Sequence, residues 1–541
     1  MRRAGQWALA ALLMATAFVG ASARTVLAHA ALQSSTPAAN SVLEQGPSQI
    51  VLKFDEEVEP GLASIKLYDG EGLQVQLGKP AGAPGAHTIT ATVPSLGDDV
   101  YAVIWRVTSV DGHVVDGAFS FQVGNGAAGN GQALIAEVRR GVRAEPAVGW
   151  LLGVARFVTY LSVIALLGAG WWILQGAALA GVAGPGWRRL PMIAAAGLVL
   201  GSLAVFAFFG AQAVGGSVGD AFSPAVWADV AGTRTGALLL GRLGLAVAWM
   251  ALVRVHRHLP SGSVNTVALV MALCTLYTFS AAGHPNTLHP ASLWIAIDLL
   301  HVAALTVWLG GLLAITLLPR TALAGAEGEG LAERFSHTAL VAVPVVVATG
   351  VALAWKLNHG LRGITDTDWG QEVVSKVVLV AVLLAVAGVS RFLLHRRSAG
   401  AIRHTVWVEA ALGLAIIGLA ASIVSLPPQA PVRAQPYAEE LASSNGLIAL
   451  VSLGPGSIGS NEVHINVTPP GGSLTPVVGM TARVSLPSTD FPVAPVTLKQ
   501  QGPNHYSGNV TFPRSGQWQL ELIVRVTDSE QQSLTAVVTI P

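Results

Sequence analysis

One cysteine, six methionines and a shortage of charge set the first limits on this 541-residue chain. Cys274 stands alone in an apolar run, which excludes internal disulfides, thiolate clusters and Cys-based zinc sites within one chain. The methionines, at positions 1, 14, 192, 250, 271 and 480, are too scattered for a thioether-rich copper(I) site in a soluble domain. Any metal chemistry must then rest on histidine, carboxylate or the chain terminus. Charged residues make up only 11% of the chain, against about 25% in an ordinary soluble domain. A net charge of +1 and the lack of a continuous basic patch argue against nucleic acid as a partner.

What the chain has instead is hydrophobic length: 52% of its residues are apolar. Eight runs read as spans of a lipid bilayer, at about 148–175, 191–214, 235–254, 264–283, 292–318, 337–356, 373–394 and 405–426. Pro344 is expected to kink the sixth. Alternate loops carry Arg188 and Arg189, Arg254 and Arg257, Arg320 and Arg334, then Arg396, Arg397 and Arg403. The positive-inside rule puts these loops in the cytoplasm, so both segments flanking the spans fall outside it. The N-terminus agrees. Arg2 and Arg3 precede an apolar stretch that ends in Val26-Leu27-Ala28, which reads as a signal peptide (residues 1–28) whose removal makes His29 the first residue, with an uncleaved anchor as the alternative.

Two polar blocks flank the membrane region. In residues 29–124, the segments Gln49–Phe54, Ala63–Tyr68, His87–Val93, Val100–Thr108 and Gly117–Val123 read as strands of an antiparallel β-sandwich. A linker (125–147), with a short amphipathic helix over Gln132–Arg143, leads into the spans. After a Pro-rich linker (427–440), runs such as Val463–Val467, Tyr506–Phe512 and Trp518–Val526 predict a second sandwich over 441–541. His464 and His505 lie there without a tight ligand cluster, and they read as structural or exposed.

Two constellations could carry chemistry. A mature His29 offers its α-amine and ring to one ion, while Asp111-Gly112-His113 places a carboxylate and a second imidazole two residues apart, on one side of a strand or its exit. That N,O set suits Cu(II) or Ni(II), although Asp-Gly-His alone also fits a simple polar turn. In the membrane region, His284 and His289 border the fourth and fifth spans, and Asp298 and His301 share a helix face. An ionisable pair at that depth marks a pathway or a site. The alternative is a packing hydrogen bond, between the two or to a neighbouring Arg156 or Arg242.

Residues 29–123 resemble the CopC family of copper-binding β-sandwiches. The likeness runs through His29-Ala30-Ala31-Leu32-Gln33-Ser34-Ser35-Thr36-Pro37, Leu52-Lys53-Phe54, Trp105 to His113 and Gly117-Ala118-Phe119-Ser120-Phe121. The resemblance implies His29, Asp111 and His113 as Cu(II) ligands. A Met-rich Cu(I) site found in many relatives has no counterpart, because this block contains no methionine. Residues 148–426 resemble the CopD family in Gly283-His284, Asp298-x-x-His301, Trp308-x-Gly310-Gly311, Arg334-Phe335-Ser336, Thr349-Gly350, Lys376 and Glu409. As a whole the chain resembles the CopC–CopD fusions, with a tail similar to YtkA-like domains.

These resemblances imply a non-enzymatic, multi-pass protein of the cytoplasmic membrane that binds and imports copper. Cu2+ would be captured outside and relayed along His284, His289, Asp298 and His301, with Cu+ a candidate form inside the membrane. An extracytoplasmic copper donor or cuproenzyme is a candidate partner beside the bilayer itself. Two rival readings stay open: copper sequestration or delivery without transport, and a haem-binding membrane oxidoreductase.

Overall fold

A computed structural model describes residues 32–37, 41–83, 86–109, 112–124, 134–135, 137–138, 145–176, 179, 184–256, 261–323, 325–358, 360, 364–395, 399–424, 426, 437–454, 456, 459–470, 476–487, 492–502 and 504–540. The signal peptide, His29 and Asp111 therefore lie outside the described residues.

In the N-terminal unit the strands are β1 (Leu32–Thr36), β2 (Val42–Leu43), β3 (Gln49–Val58), β4 (Ser64–Tyr68), β5 (Gln74–Val75), β6 (Ala86–Thr92), β7 (Asp99–Thr108) and β8 (Val114–Val123). They form a three-stranded sheet, β1-β3-β6, and a five-stranded sheet, β2-β8-β7-β4-β5. Alternation decides which residues face inward. Ile50, Leu52 and Phe54 of β3 meet Tyr101, Val103, Trp105 and Val107 of β7 in one core. The ring of Trp105 lies edge-on to Phe54 at 5.3 Å. Opposite Trp105 in the ladder stands Gly117, where a Cβ would fall 2.3 Å from the indole. The glycine is the space into which the tryptophan folds. Leu134, Ile135 and Val138, from the expected amphipathic helix, are helical and packed against Tyr68, Val100 and Ile104 on the outer side of the five-stranded sheet.

Eight long helices follow: Pro146–Gln175, Pro185–Ala213, Arg234–Val255, Ser261–Ser280, Ala291–Thr316, Ala326–Leu357, Asp368–His395 and Ala399–Ile423. Among the described residues seven are long and apolar enough to cross a membrane, and the eighth adds a shorter apolar stretch, Trp407–Ile423. The sixth helix runs on through Pro344 without a break. Large apolar side chains such as Leu200 and Val341 (each 67% exposed) point outward, while Arg242 and Glu409 are buried. This inside-out arrangement is what a lipid solvent selects.

The first and fifth helices touch backbone to backbone. A Cβ at Gly168 would lie 2.0 Å from the Thr306 carbonyl oxygen, and one at Gly310 would lie 2.4 Å from Gly168. The first helix widens into a π-helical stretch, Ile164–Ala169, at this contact. Small residues permit such an approach in lipid, and here it draws in the helix that carries Asp298 and His301. Gly310→Val is expected to destabilise the helical unit by about 3 kcal/mol or more, since overpacking at a rigid backbone has no flexible neighbour to move. Thermal unfolding in detergent checks this: an unchanged midpoint would show the contact to be dispensable.

The C-terminal unit is the expected all-β domain, in a barrel-like form. Its strands are β9 (Tyr437–Ala442), β10 (Ile448–Gly454), β11 (Gly459–Thr468), β12 (Gly479–Ser485), β13 (Ala494–Gly502), β14 (His505–Phe512), β15 (Gly516–Arg525) and β16 (Gln531–Ile540). They join in one eight-stranded sheet, ordered β16-β15-β12-β13-β14-β11-β10-β9. The sheet curls like a barrel, so that Ser443, just after β9, donates a hydrogen bond to Gln532 of β16. Curling lets a single sheet enclose its own apolar face, with Trp518, Phe512, Leu520 and Ile465 inside. A second sheet is not needed.

Candidate metal-transfer site

The N-terminal sandwich sits on one end of the helical unit. Leu62, only 2% exposed, inserts among Leu152, Phe206, Phe209, Val230 and Leu239. Arg106 donates to the Gln212 carbonyl at 3.1 Å, and Lys79 meets Asp229 at 3.3 Å. Arg234 has two roles: its backbone N–H donates to the Glu59 carboxylate (3.0 Å), and its guanidinium donates to Asn286 (2.6 Å) in the turn that carries His284. Burial pushes the Glu59 carboxyl above its ordinary value, and the bond from Arg234 pulls the other way. The surfaces used are the loops after the second and fourth helices and the end of the eighth. Alternating helices bring these to one side, which is the arrangement the arginine pattern requires.

His113 stands at this junction. The hairpin from β7 to β8 closes with Gly112 N–H donating to Ser109 and Ser109 N–H donating to the His113 carbonyl. Gly112 has φ +87°, a region that disfavours every residue with a Cβ, so the glycine between Asp111 and His113 is a geometric requirement of the turn. The turn projects the His113 ring into the helical unit. Its Nε2 lies 3.0 Å from the Val424 carbonyl at the end of the last helix, and its ring meets the ring of His284 edge-on at 4.5 Å. Both side chains are 7% exposed. A carbonyl can only accept, so Nε2 carries the proton and Nδ1 keeps the lone pair a metal would need.

His289 is not part of this contact. It is exposed, and no hydrogen bond or ring contact joins it to His284 among the described residues. Deeper in the bundle, Asp298 and His301 share a helix face but do not bond to each other. Asp298 is under the electrostatic influence of the Ser280 hydroxyl and of the Lys376 ammonium of the seventh helix, without a hydrogen bond or ion pair to either among the described residues. His301 Nδ1 is 3.0 Å from both the Val346 carbonyl and the Thr349 hydroxyl of the sixth helix. The carbonyl again fixes the proton on Nδ1, leaving Nε2 with its lone pair. Arg242 bonds Thr278 and lies 3.6 Å over the Phe279 ring instead of pairing with Asp298 or His301. Lys376 is the residue that sequence reasoning left out of the site, although its depth in an apolar run marks it. Glu409 accepts from Ser390 across the last two helices.

In the C-terminal unit His464 and His505 are neither exposed nor solitary. Each is buried, and Nδ1 of the first lies 3.2 Å from Nε2 of the second. Burial, with His464 alongside, pulls His505 down to about 4 and keeps it neutral at physiological pH. Among the described residues no three His, Cys, Asp or Glu side chains converge as a ready metal cage.

A β-sandwich docked through the His113 and His284 rings onto a helical unit of membrane-spanning length defines the class: a membrane protein with an N-terminal β-sandwich domain. Comparison with known families gives the same class. The CopC domain model matches residues 32–124, the N-terminal domain model of copper resistance protein D-like proteins matches 147–288, and the copper resistance protein D model matches 329–423. The chain belongs to the family that joins CopC and CopD domains, and the last of these domain matches ends at residue 423. Copper transport protein CutJ of Bacillus subtilis is 27% identical over 466 residues, covering 82% of this chain and 83% of that protein. Protein YobA of Escherichia coli (strain K12) is 35% identical over 101 residues, which is 18% of this chain and 82% of YobA. The crystal structure of CopC from Methylosinus trichosporium OB3b is 32% identical, covering 19% of this chain and 98% of that one, with a TM-score of 0.17.

Proposed function

We propose that the protein imports copper across the cytoplasmic membrane, acting as a carrier and not as an enzyme. The sandwich, outside the membrane, captures Cu(II) with His113 together with His29 and Asp111. It hands the ion to His284, and from there the path descends past Asp298 and His301. The ring of His113 lying against that of His284 is the observation that carries this reading. A capture ligand and an entrance ligand in direct contact can exchange an ion without its release to bulk water, and tethering keeps the effective concentration high. The name of the CutJ relative, a copper transport protein, points the same way.

Radiocopper uptake into proteoliposomes tests the proposal, comparing wild type with His301→Ala. Time-dependent accumulation in wild type, lost in the variant, is the expected result. Cells lacking the protein that accumulate as much copper under limitation as wild type would overturn import and favour sequestration. A Soret band in the purified protein would instead revive the haem reading.

A further inference from the structure

The two histidines of the C-terminal unit are placed by strand pairing. β11 and β14 run antiparallel, with Asn466 opposite His505 and His464 opposite Ser507. His464 and His505 are thus diagonal neighbours on one face of the sheet. The other face belongs to the core, with Val463, Ile465, Tyr506 and Val510. On the non-core face a sheet ordinarily shows solvated polar residues. Here His464 (6% exposed), His505 (7%), Ser507 (7%) and Ser452 (6%), which is opposite His464 on β10, are all buried. A buried polar cluster away from the apolar core calls for a specific purpose.

The geometry supplies one. The Glu462 carboxylate is 3.3 Å from Nε2 of His464, on the side of the ring away from His505. Its negative charge favours the tautomer with the proton on Nε2, which leaves Nδ1 as the acceptor of the hydrogen bond from His505 Nε2 at 3.2 Å, the place a metal ion would take over. With metal–nitrogen bonds of about 2.0–2.1 Å, one ion spans this separation at an N–metal–N angle of about 100–106°. That angle suits adjacent positions of a tetrahedral or tetragonal ion. It is too bent for a linear two-coordinate Cu(I), whose nitrogens would stand about 4 Å apart on the same bond length. A carboxylate behind a ligating imidazole is the usual outer-shell device for fixing its tautomer and raising its basicity.

We propose that His464 and His505 bind one divalent transition ion of the Cu(II)/Zn(II) class, with Glu462 as the positioning residue behind His464. Water completes the coordination, so the ion is exchangeable. This second site does not rest on the transport reading and stands or falls separately from it.

The test uses full-length protein in detergent carrying His29→Ala, Asp111→Ala, His113→Ala and His284→Ala, which removes the side-chain ligands of the first site and its exit. Equilibrium dialysis against Cu(II), and separately against Zn(II), is expected to leave one ion per chain, with nitrogen hyperfine structure in the Cu(II) EPR spectrum. Adding His505→Gln or His464→Gln should weaken binding at least tenfold. Glu462→Gln should weaken it by about 10–100-fold while the nitrogen hyperfine pattern persists. Thermal unfolding guards against simple misfolding: the ion should raise the midpoint of the parent and not that of His505→Gln, whatever their metal-free midpoints. The proposal is overturned if neither ion binds the parent, if affinity survives both histidine substitutions, or if His505→Gln keeps the metal-induced rise.

Discussion

Copper accumulation through His284→Ala is expected to fall by about tenfold or more, a change equivalent to about 1.4 kcal/mol in the transfer step. The sandwich should still load. The turn around His284 is held by its backbone carbonyl, which accepts from the Thr287 N–H (3.1 Å) and hydroxyl (3.0 Å), so losing the ring leaves the turn intact. What disappears is the imidazole that meets His113 at 4.5 Å. Capture and entry then separate. Two measurements check this on one preparation, Cu(II) affinity by competition and radiocopper uptake by filtration. Uptake at the wild-type rate would remove His284 from the path. Equal losses of affinity and uptake would instead make it a ligand of the capture site itself.

Lys376→Met is expected to destabilise the bundle measurably. Lys376 of the seventh helix is the charge that acts on Asp298 of the fifth, and its removal leaves that intramembrane carboxylate without a counter-charge. Removing one of two opposite charges set in a low-dielectric interior costs up to about 3–5 kcal/mol when they are in contact and less when they are apart, whereas replacing both by neutral groups costs far less. Asp298→Asn combined with Lys376→Met is therefore expected to recover most of the lost thermal stability in detergent. Uptake should not return, because the charged path is gone. A single variant that melts with wild type would disprove the pairing. A double variant that transports normally would disprove its role in transit.

The parts of this molecule that were legible in the sequence are those set by short-range pattern. Apolar length located all eight helices to within a few residues over most of their ends; the largest difference is the sixth, which begins at Ala326, well before the apolar run at 337. Strand alternation found β3, β4, β6, β7 and β8 because each buries one face against a single core. The spacing of Asp298 and His301 correctly put them on one helix face. It could not show that the face is shared, with His301 turned to Val346 and Thr349 while Asp298 turns to Ser280 and Lys376. Those choices depend on which helices become neighbours, and lipid-facing apolar patterns carry little of that information. The curl of the C-terminal sheet was hidden for a similar reason. Strand period gives the inward face of β9 and β16 but not that their ends approach. His464 and His505, 41 positions apart, meet only through the β11–β14 register.

The bond from His113 Nε2 to the Val424 carbonyl has a thermodynamic meaning beyond holding a ring in place. If the ion binds His113 more tightly when that bond is made, occupancy and docking are linked functions. Whatever factor docking contributes to affinity, the ion returns to docking. The last helix ends at Ile423, and the chain continues from there into the segment leading to the C-terminal unit. A filled sandwich is then held to the helices more firmly than an empty one. The protein would carry its own occupancy signal, written as a change in how firmly one domain is held and delivered at the root of another.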